Sequence, residues 1–250
     1  MSGVFRIGTS NIVVPGTKQT FPAAFQTGTR LHYYSSLFNS LEVNSSFYKV
    51  PMPATFGKWS RDVPADFRFS VKLWKNITHV KALDFNSSDI ARFMAAADCL
   101  KNKKGCLLIQ FPGSITSIYA TMVKRLLEEI NCSDPRNSWR LAVEFRHNSW
   151  YQKETYDVLN NFNATLVLHD MPKSKMTTLQ TKSNVVFVRF HGIFGDYKGS
   201  YSDEFLVDKA AQIKSWLKSG KEVYAYFNNT IGDAFQNARS LWNYINVPKR

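Results

Sequence analysis

Residues 106–146 read CLLIQFPGSITSIYATMVKRLLEEINCSDPRNSWRLAVEFR, and their periodicity decides the fold class. An apolar run, Cys106–Phe111, is followed by Tyr119, Met122, Val123, Leu126, Leu127 and Ile130, which recur at helical spacing. A second apolar run, Leu141–Phe145, closes the stretch. Two short runs joined by an amphipathic helix predict a β-α-β unit, because parallel strands need a long crossover and antiparallel ones do not.

The same alternation recurs on both sides of this stretch. Strand-like runs lie at Val4–Thr9, Leu41–Ser46, Phe67–Leu73, Thr165–His169, Val185–Phe190 and Glu222–Phe227, which brings the total to eight. Ile90, Phe93, Met94, Ala97 and Leu100 form one apolar helical stripe, with Ser87 or Ser88 as its expected N-cap. Ile231, Ala234, Phe235, Ala238, Leu241, Trp242 and Ile245 form another, and residues 31–38, 151–162 and 204–218 behave alike. Eight β/α units in 250 residues predict an α/β fold, a single-domain TIM barrel spanning residues 1–250. Two connections are irregular: the long Pro/Gly/Thr loop 11–30 after the first strand, and the short polar segment 171–184 after the sixth.

Composition narrows the class. Hydrophobic residues at 44% and charged residues at 20% sustain a core and exclude a disordered polyelectrolyte. Lys and Arg number 32 against 19 acids, so the formal charge is +13. That charge attracts anions, and both a small anionic substrate and nucleic acid fit it. The cations are spread along the chain, however, which favours a solvated basic surface over a recognition arm. Three cysteines without C-x-x-C spacing argue against a disulfide framework and a cysteine zinc site. No long apolar run suits a membrane helix, and MSGVFRIGTSN lacks a secretory apolar region. A cytoplasmic protein with no membrane partner is expected.

Side chains alternate along a strand, so every second residue of a barrel strand faces inward. Leu41 and Val43 then face the helices while Glu42 and Asn44 face in. Phe67, Phe69, Val71 and Leu73 face out, and Arg68, Ser70 and Lys72 face in. Arg140, Glu144 and Arg146 face in on the fifth strand, and Arg189 and His191 on the seventh. Glu42, Arg68 and Arg140 are expected to form an ionic network below the site. The strand ends, where barrel active sites lie, carry Asn44, Lys72, Gln110, Glu144, Arg146, Asp170, Arg189, His191, Asn228 and Asn229.

These residue types suit anion chemistry. Arg146 and Arg189 with Lys72 can hold a phosphate or carboxylate. Glu144 beside them stays ionised, a poor acid but a usable base, and His191 can exchange protons near neutrality. Glu144 is expected to pair with Arg146 or Arg189. Glu144, Asp170 and His191 also form a weak divalent-metal candidate, without any local metal motif, and no cofactor is otherwise indicated. His32, His147 and His169 read as structural. No phosphate-binding glycine loop or nucleophile-elbow motif occurs.

Several stretches resemble the domain-of-unknown-function 72 (YecE-like) family. They are Ile7-Gly8-Thr9-Ser10, Leu41-Glu42-Val43-Asn44-Ser45-Ser46-Phe47-Tyr48, Phe69-Ser70-Val71-Lys72, Ile77-Thr78-His79, Gln110-Phe111-Pro112, Glu144-Phe145-Arg146-His147 with Trp150, Arg189-Phe190-His191-Gly192 and Tyr226-Phe227-Asn228-Asn229. The likeness runs in order through nearly the whole chain. It implies a TIM barrel, brings no activity with it, and adds His79 to the binding set. Relatives usually carry an aromatic shortly after the first Gly-Thr-Ser, where this chain reads Asn11-Ile12-Val13.

The expected function is therefore an enzyme acting on an anionic or phosphate-bearing substrate, of hydrolase or isomerase/lyase type. Glu144, His191 and Asp170 would be catalytic, and Asn44, Lys72, His79, Gln110, Arg146, Arg189, Asn228 and Asn229 would bind substrate. The alternatives are a nucleic-acid-binding protein or metal-dependent nuclease, and a non-catalytic interaction module.

Overall fold

The computed structural model describes residues 3–246. The alternation of strand and helix runs through the described residues, and the fold is α/β with parallel strand pairing. The chain forms two compact units. The first comprises residues 1–42, 168–177 and 184–250, and the second residues 43–167 and 178–183.

In the first unit, β1 (Val4–Thr9), β10 (Glu222–Phe227), β8 (Val185–Phe190) and β7 (Leu168–His169) form a sheet in that order. Val4 pairs with Glu222 and Glu222 with Val185, in parallel register. Helices α1 (Arg30–Leu37), α8 (Asp203–Lys218) and α9 (Ala234–Asn246) belong to this unit. Thr29 caps α1 by accepting from the His32 amide at 3.0 Å, which satisfies one of the amides a helix start leaves over.

The second unit opens at Val43, the last residue of β2 (Ser40–Val43), and the sheet runs β2, β3 (Arg68–Lys72), β4 (Lys104–Phe111), β5 (Arg140–Phe145), β6 (Thr165–Leu166). All eight residues of β4 are buried, as expected of a parallel strand covered on both faces. Helix α6 (Ala120–Ser133) turns Val123, Leu126, Leu127 and Ile130 inward, and α5 (Ser87–Ala97) buries Ile90, Phe93 and Met94. Phe111, Phe145 and Trp150 stack with centroids 5.4 and 4.2 Å apart. The Trp150 indole donates to the Ile115 carbonyl at 2.7 Å.

Several element ends differ from the periodicity. The second strand, expected through Ser46, stops at Val43 because Asn44 turns into the helical region (φ −93°, ψ −16°) and begins α2 (Ser45–Tyr48). Ser46 Oγ holds this turn by sharing its one proton between the carbonyls of Lys72 (2.7 Å) and Val43 (3.0 Å). The sixth strand splits around Val167 into β6 and β7. Helix α5 is capped by Asn86, which accepts from the Ser88 amide at 2.9 Å, and not by Ser87 or Ser88. The last helix starts at Ala234 because Ile231–Gly232 is a two-residue strand, β11, paired with β9 (Lys198–Gly199). Segment 171–184 contains one 3-10 turn, Pro172–Ser174, and loop 11–30 contains two.

The first Gly-Thr-Ser has a steric explanation within the first unit. A Cβ on Gly8 would lie 2.0 Å from the Ser40 carbonyl oxygen and 2.5 Å from the Tyr34 hydroxyl. That buried hydroxyl accepts from the Thr9 amide at 2.7 Å and donates to the Ser40 carbonyl at 3.1 Å. Burial, only partly offset by its bonds with Thr9, raises the Tyr34 pKa and keeps it a donor. Gly8→Ala is expected to destabilise the protein by about 1–3 kcal/mol or more, read as a lower urea midpoint at unchanged slope. A midpoint equal to the parent's would contradict this close approach.

Candidate functional site

In the second unit, the expected strand-end residues Lys72, Gln110, Glu144 and Arg146 come together with His79. Lys72 ends β3 and donates from Nζ to Gln110 Oε1 at 2.8 Å. Its ammonium also lies 4.0 Å from the centroid of Phe47, a cation–π contact. Because Gln110 Oε1 faces this cation, its NH2 faces His79 Nε2, 3.5 Å away. His79 Nδ1 lies 2.8 Å from Thr78 Oγ1, and Phe47 packs edge-on against its ring at 4.8 Å. These contacts suit a neutral imidazole that accepts at Nε2 and donates at Nδ1. Its pKa is lowered to about 4 by burial first, then by Lys72 and Arg146.

Glu144 and Arg146, two apart on the fifth strand's end, form an ion pair through Arg146 Nε. Glu144 is fully buried and Arg146 keeps 13% of its side chain exposed. Gln110 and Glu144 are register partners between β4 and β5. Asn44 sits just beyond β2 at the start of α2, half-buried.

The first unit holds two further polar groups. Arg189 on β8 meets Glu42 in a bidentate, fully buried ion pair, Nε–Oε2 2.9 Å and Nη2–Oε1 2.8 Å. Ser10 Oγ donates to the same carboxylate at 2.6 Å. Glu42 was expected beside Arg68 and Arg140; its guanidinium partner is Arg189, and Arg68 instead donates to the carbonyls of Ala65 and Phe67. Arg189 therefore spends its Nε/Nη2 edge on Glu42.

Asp170 and His191 also come together. Asp170 Oδ1 accepts from the His191 amide at 2.8 Å and faces His191 Nδ1 at 3.3 Å. Asp170 Oδ2 accepts from the Tyr201 hydroxyl, which in turn accepts from the Gly192 amide at 2.6 Å. Burial alone would raise the Asp170 pKa, but the hydrogen bonds from His191 and Tyr201 outweigh it and hold the carboxyl below its usual range. Burial and the Asp170 charge raise the Tyr201 pKa. Gly192 sits at φ 94°, a conformation open to glycine. Tyr201 gives no signal in the sequence, since it lies outside every periodic run.

Asn229 is buried and uses its NH2 structurally, donating to the Gly199 carbonyl and to Asn237 Oδ1, both at 2.9 Å. The Asn228 amide donates to the Phe190 carbonyl at 2.7 Å. Among the described residues no three of His, Cys, Asp and Glu group so as to hold a metal ion. Glu144, Asp170 and His191 are thus not a metal set: Asp170 is engaged by His191 and Tyr201, and Glu144 by Arg146. No disulfide joins the cysteines, and no helix among the described residues is long and apolar enough to cross a membrane.

The neutral His79 has a thermodynamic consequence. An unfolded chain binds a proton at this position near pH 6.5, while the folded protein binds it only near pH 4. Folding stability is therefore expected to fall as pH drops from about 6.5 toward 4. Urea titrations across this window check it: His79→Gln loses the part of the slope that this residue contributes. An unchanged slope in a folded His79→Gln protein would show that His79 titrates normally.

The chain is similar to known proteins in fold and in sequence. A DUF72 family protein from Enterococcus faecalis V583 superposes with a TM-score of 0.80 at 21% identity, covering 99% of this chain and 97% of that one. A DUF72 family protein from Thermotoga maritima MSB8 superposes with a TM-score of 0.77 at 26% identity, covering 96% and 98%. In sequence, the UPF0759 protein YunF of Bacillus subtilis is 26% identical over 91% of this chain and 90% of its own length. The UPF0759 protein YecE of Escherichia coli K12 is 25% identical over 50% of this chain and 44% of its own. The profile described as "Protein of unknown function DUF72" matches residues 6–250, and this chain belongs to that family.

Proposed function

We propose that this protein is an enzyme that binds a phosphate- or carboxylate-bearing substrate at the strand ends of the second unit. The observation that carries the reading is the cradle in which Lys72 and Arg146 both act on a neutral His79 beside Gln110. Lys72 and Arg146 both lower the His79 pKa, so the potential at this ring is positive and suits an anion. Lys72 and Arg146 hold the anion, and Gln110 orients Lys72. Glu144, kept beside Arg146, is the base available to this cradle. Asp170 and His191 lie in the first unit, where Asp170 Oδ1 faces His191 Nδ1 at 3.3 Å. The reaction class that these groups support is hydrolysis or isomerisation/lysis of an anionic substrate.

Nucleic-acid binding is a second reading, favoured by the +13 charge. It requires affinity for single- or double-stranded DNA that falls steeply with salt. No binding even at low salt would remove it.

Anion binding is coupled to His79 and can be read there. Inorganic phosphate seated between Lys72 and Arg146 offsets their charge, so the His79 pKa is expected to rise from about 4. Histidine C–H resonances followed through a pH titration, with and without millimolar phosphate, report it. An unmoved His79 titration would refute the cradle.

Glu144→Gln removes the carboxylate that now competes for Arg146. Phosphate is expected to bind that variant roughly tenfold tighter, about 1.4 kcal/mol, while the fold loses stability. Calorimetric affinity no better than the parent's would show that Glu144 does not compete.

A further inference from the structure

Outside these groups, the second unit holds an open cleft of about 650 Å³, within the range of about 300–1,000 Å³ usual for small-molecule sites. Its walls come from the stretch after α2, where Pro51 and Pro53 stiffen the chain into α3 (Pro53–Arg61), and from the α5 face at Arg92. Ala95 and Ala96 on that face are small, which leaves the cleft its width. Trp74, just beyond β3, lines it, and its indole Nε1 is buried with no acceptor among the described residues. A buried donor without an acceptor is costly, and each such group calls for an explanation.

The other lining groups indicate what would supply the acceptor. Arg92 lies over the Trp74 ring at 4.9 Å, bonds Asp89 at 2.9 Å and keeps 60% of its side chain exposed. Lys49 adds a second exposed cation, and no acid lines the cleft. Tyr48 and Met52, each 69% exposed, leave large apolar surfaces to water at its edge. Such a combination takes a flat apolar ring against Tyr48 and Met52, an acceptor on that ring toward the indole, and an anionic group toward Arg92 and Lys49.

We propose that this cleft is a second binding site, for a nucleoside monophosphate. The base covers Tyr48 and Met52 and accepts from Trp74 Nε1 once the Arg92 side chain swings off the indole. The phosphate then meets Arg92 and Lys49. Neither Trp74 nor Arg92 belongs to the anion cradle, so the two proposals stand or fall separately.

The test uses the full chain labelled with 15N at its six tryptophan indoles, with AMP, ribose 5-phosphate and inorganic phosphate as probes. The Trp74 indole signal is assigned by its loss in Trp74→Phe. AMP is expected to move it saturably, and the two phosphates without a base to move it far less. Trp74→Phe and Arg92→Gln are each expected to weaken AMP binding about tenfold, equal to about 1.4 kcal/mol. If Trp74→Phe fails to fold, the affinity of Arg92→Gln, altered only at an exposed helix position, decides alone. An indole signal unmoved by AMP, or AMP affinity unchanged by Arg92→Gln, overturns the proposal. Equal response to inorganic phosphate overturns it too, since no base is then recognised. Much tighter binding of a short single-stranded oligonucleotide than of AMP would reassign the cleft to a nucleic-acid strand.

Discussion

The buried ion pair between Glu42 and Arg189 is the constraint around which the first unit is organised. Both side chains are withdrawn from water, which is tolerable only because the match is complete: two guanidinium bonds and a third from Ser10. Losing one partner of such a pair typically costs about 3–5 kcal/mol, because the other charge stays buried alone. Ser10 follows β1, Glu42 lies on β2 and Arg189 on β8, so three chain segments must meet in one register for the carboxylate to be satisfied. A one-residue slip of any strand would turn its polar residue to the opposite face.

The second unit solves a related problem differently. Glu144 and Arg146 are neighbours on one strand end, so the pair needs no distant partner. The surrounding cations are shared: Lys72 divides itself between Gln110 and Phe47. Lys72 and Arg146 both press on the neutral His79 ring, whereas Glu42 and Arg189 close on each other.

The sequence made much of this legible. Strand and helix periods located the elements, and side-chain alternation identified Lys72, Gln110, Glu144 and Arg146 as strand-end polar groups. It could not assign partners. Glu42 was expected beside Arg68 and Arg140, and nothing local links it to Arg189, 147 residues away. Tyr201, which completes the Asp170 group, sits outside any periodic run and carries no motif. The end of the second strand was misplaced because Leu41–Ser46 keeps an alternating pattern, while the stop is made by Ser46 bonding back to Val43 and across to Lys72.

The two units also differ in how the chain supplies them. The second is nearly one stretch, residues 43–167, with only 178–183 added later. The first is assembled from three separated stretches, and its β1 must pair with β10, more than two hundred residues on. On a ribosome, which releases the chain from its N-terminus, the second unit has nearly all its residues early. The segment carrying β1 must wait, with that edge unpaired, until residues 222–227 have been made. During that interval the protein's exposure to aggregation and chaperone capture rests on β1, whose strand partner β10 is made more than two hundred residues later.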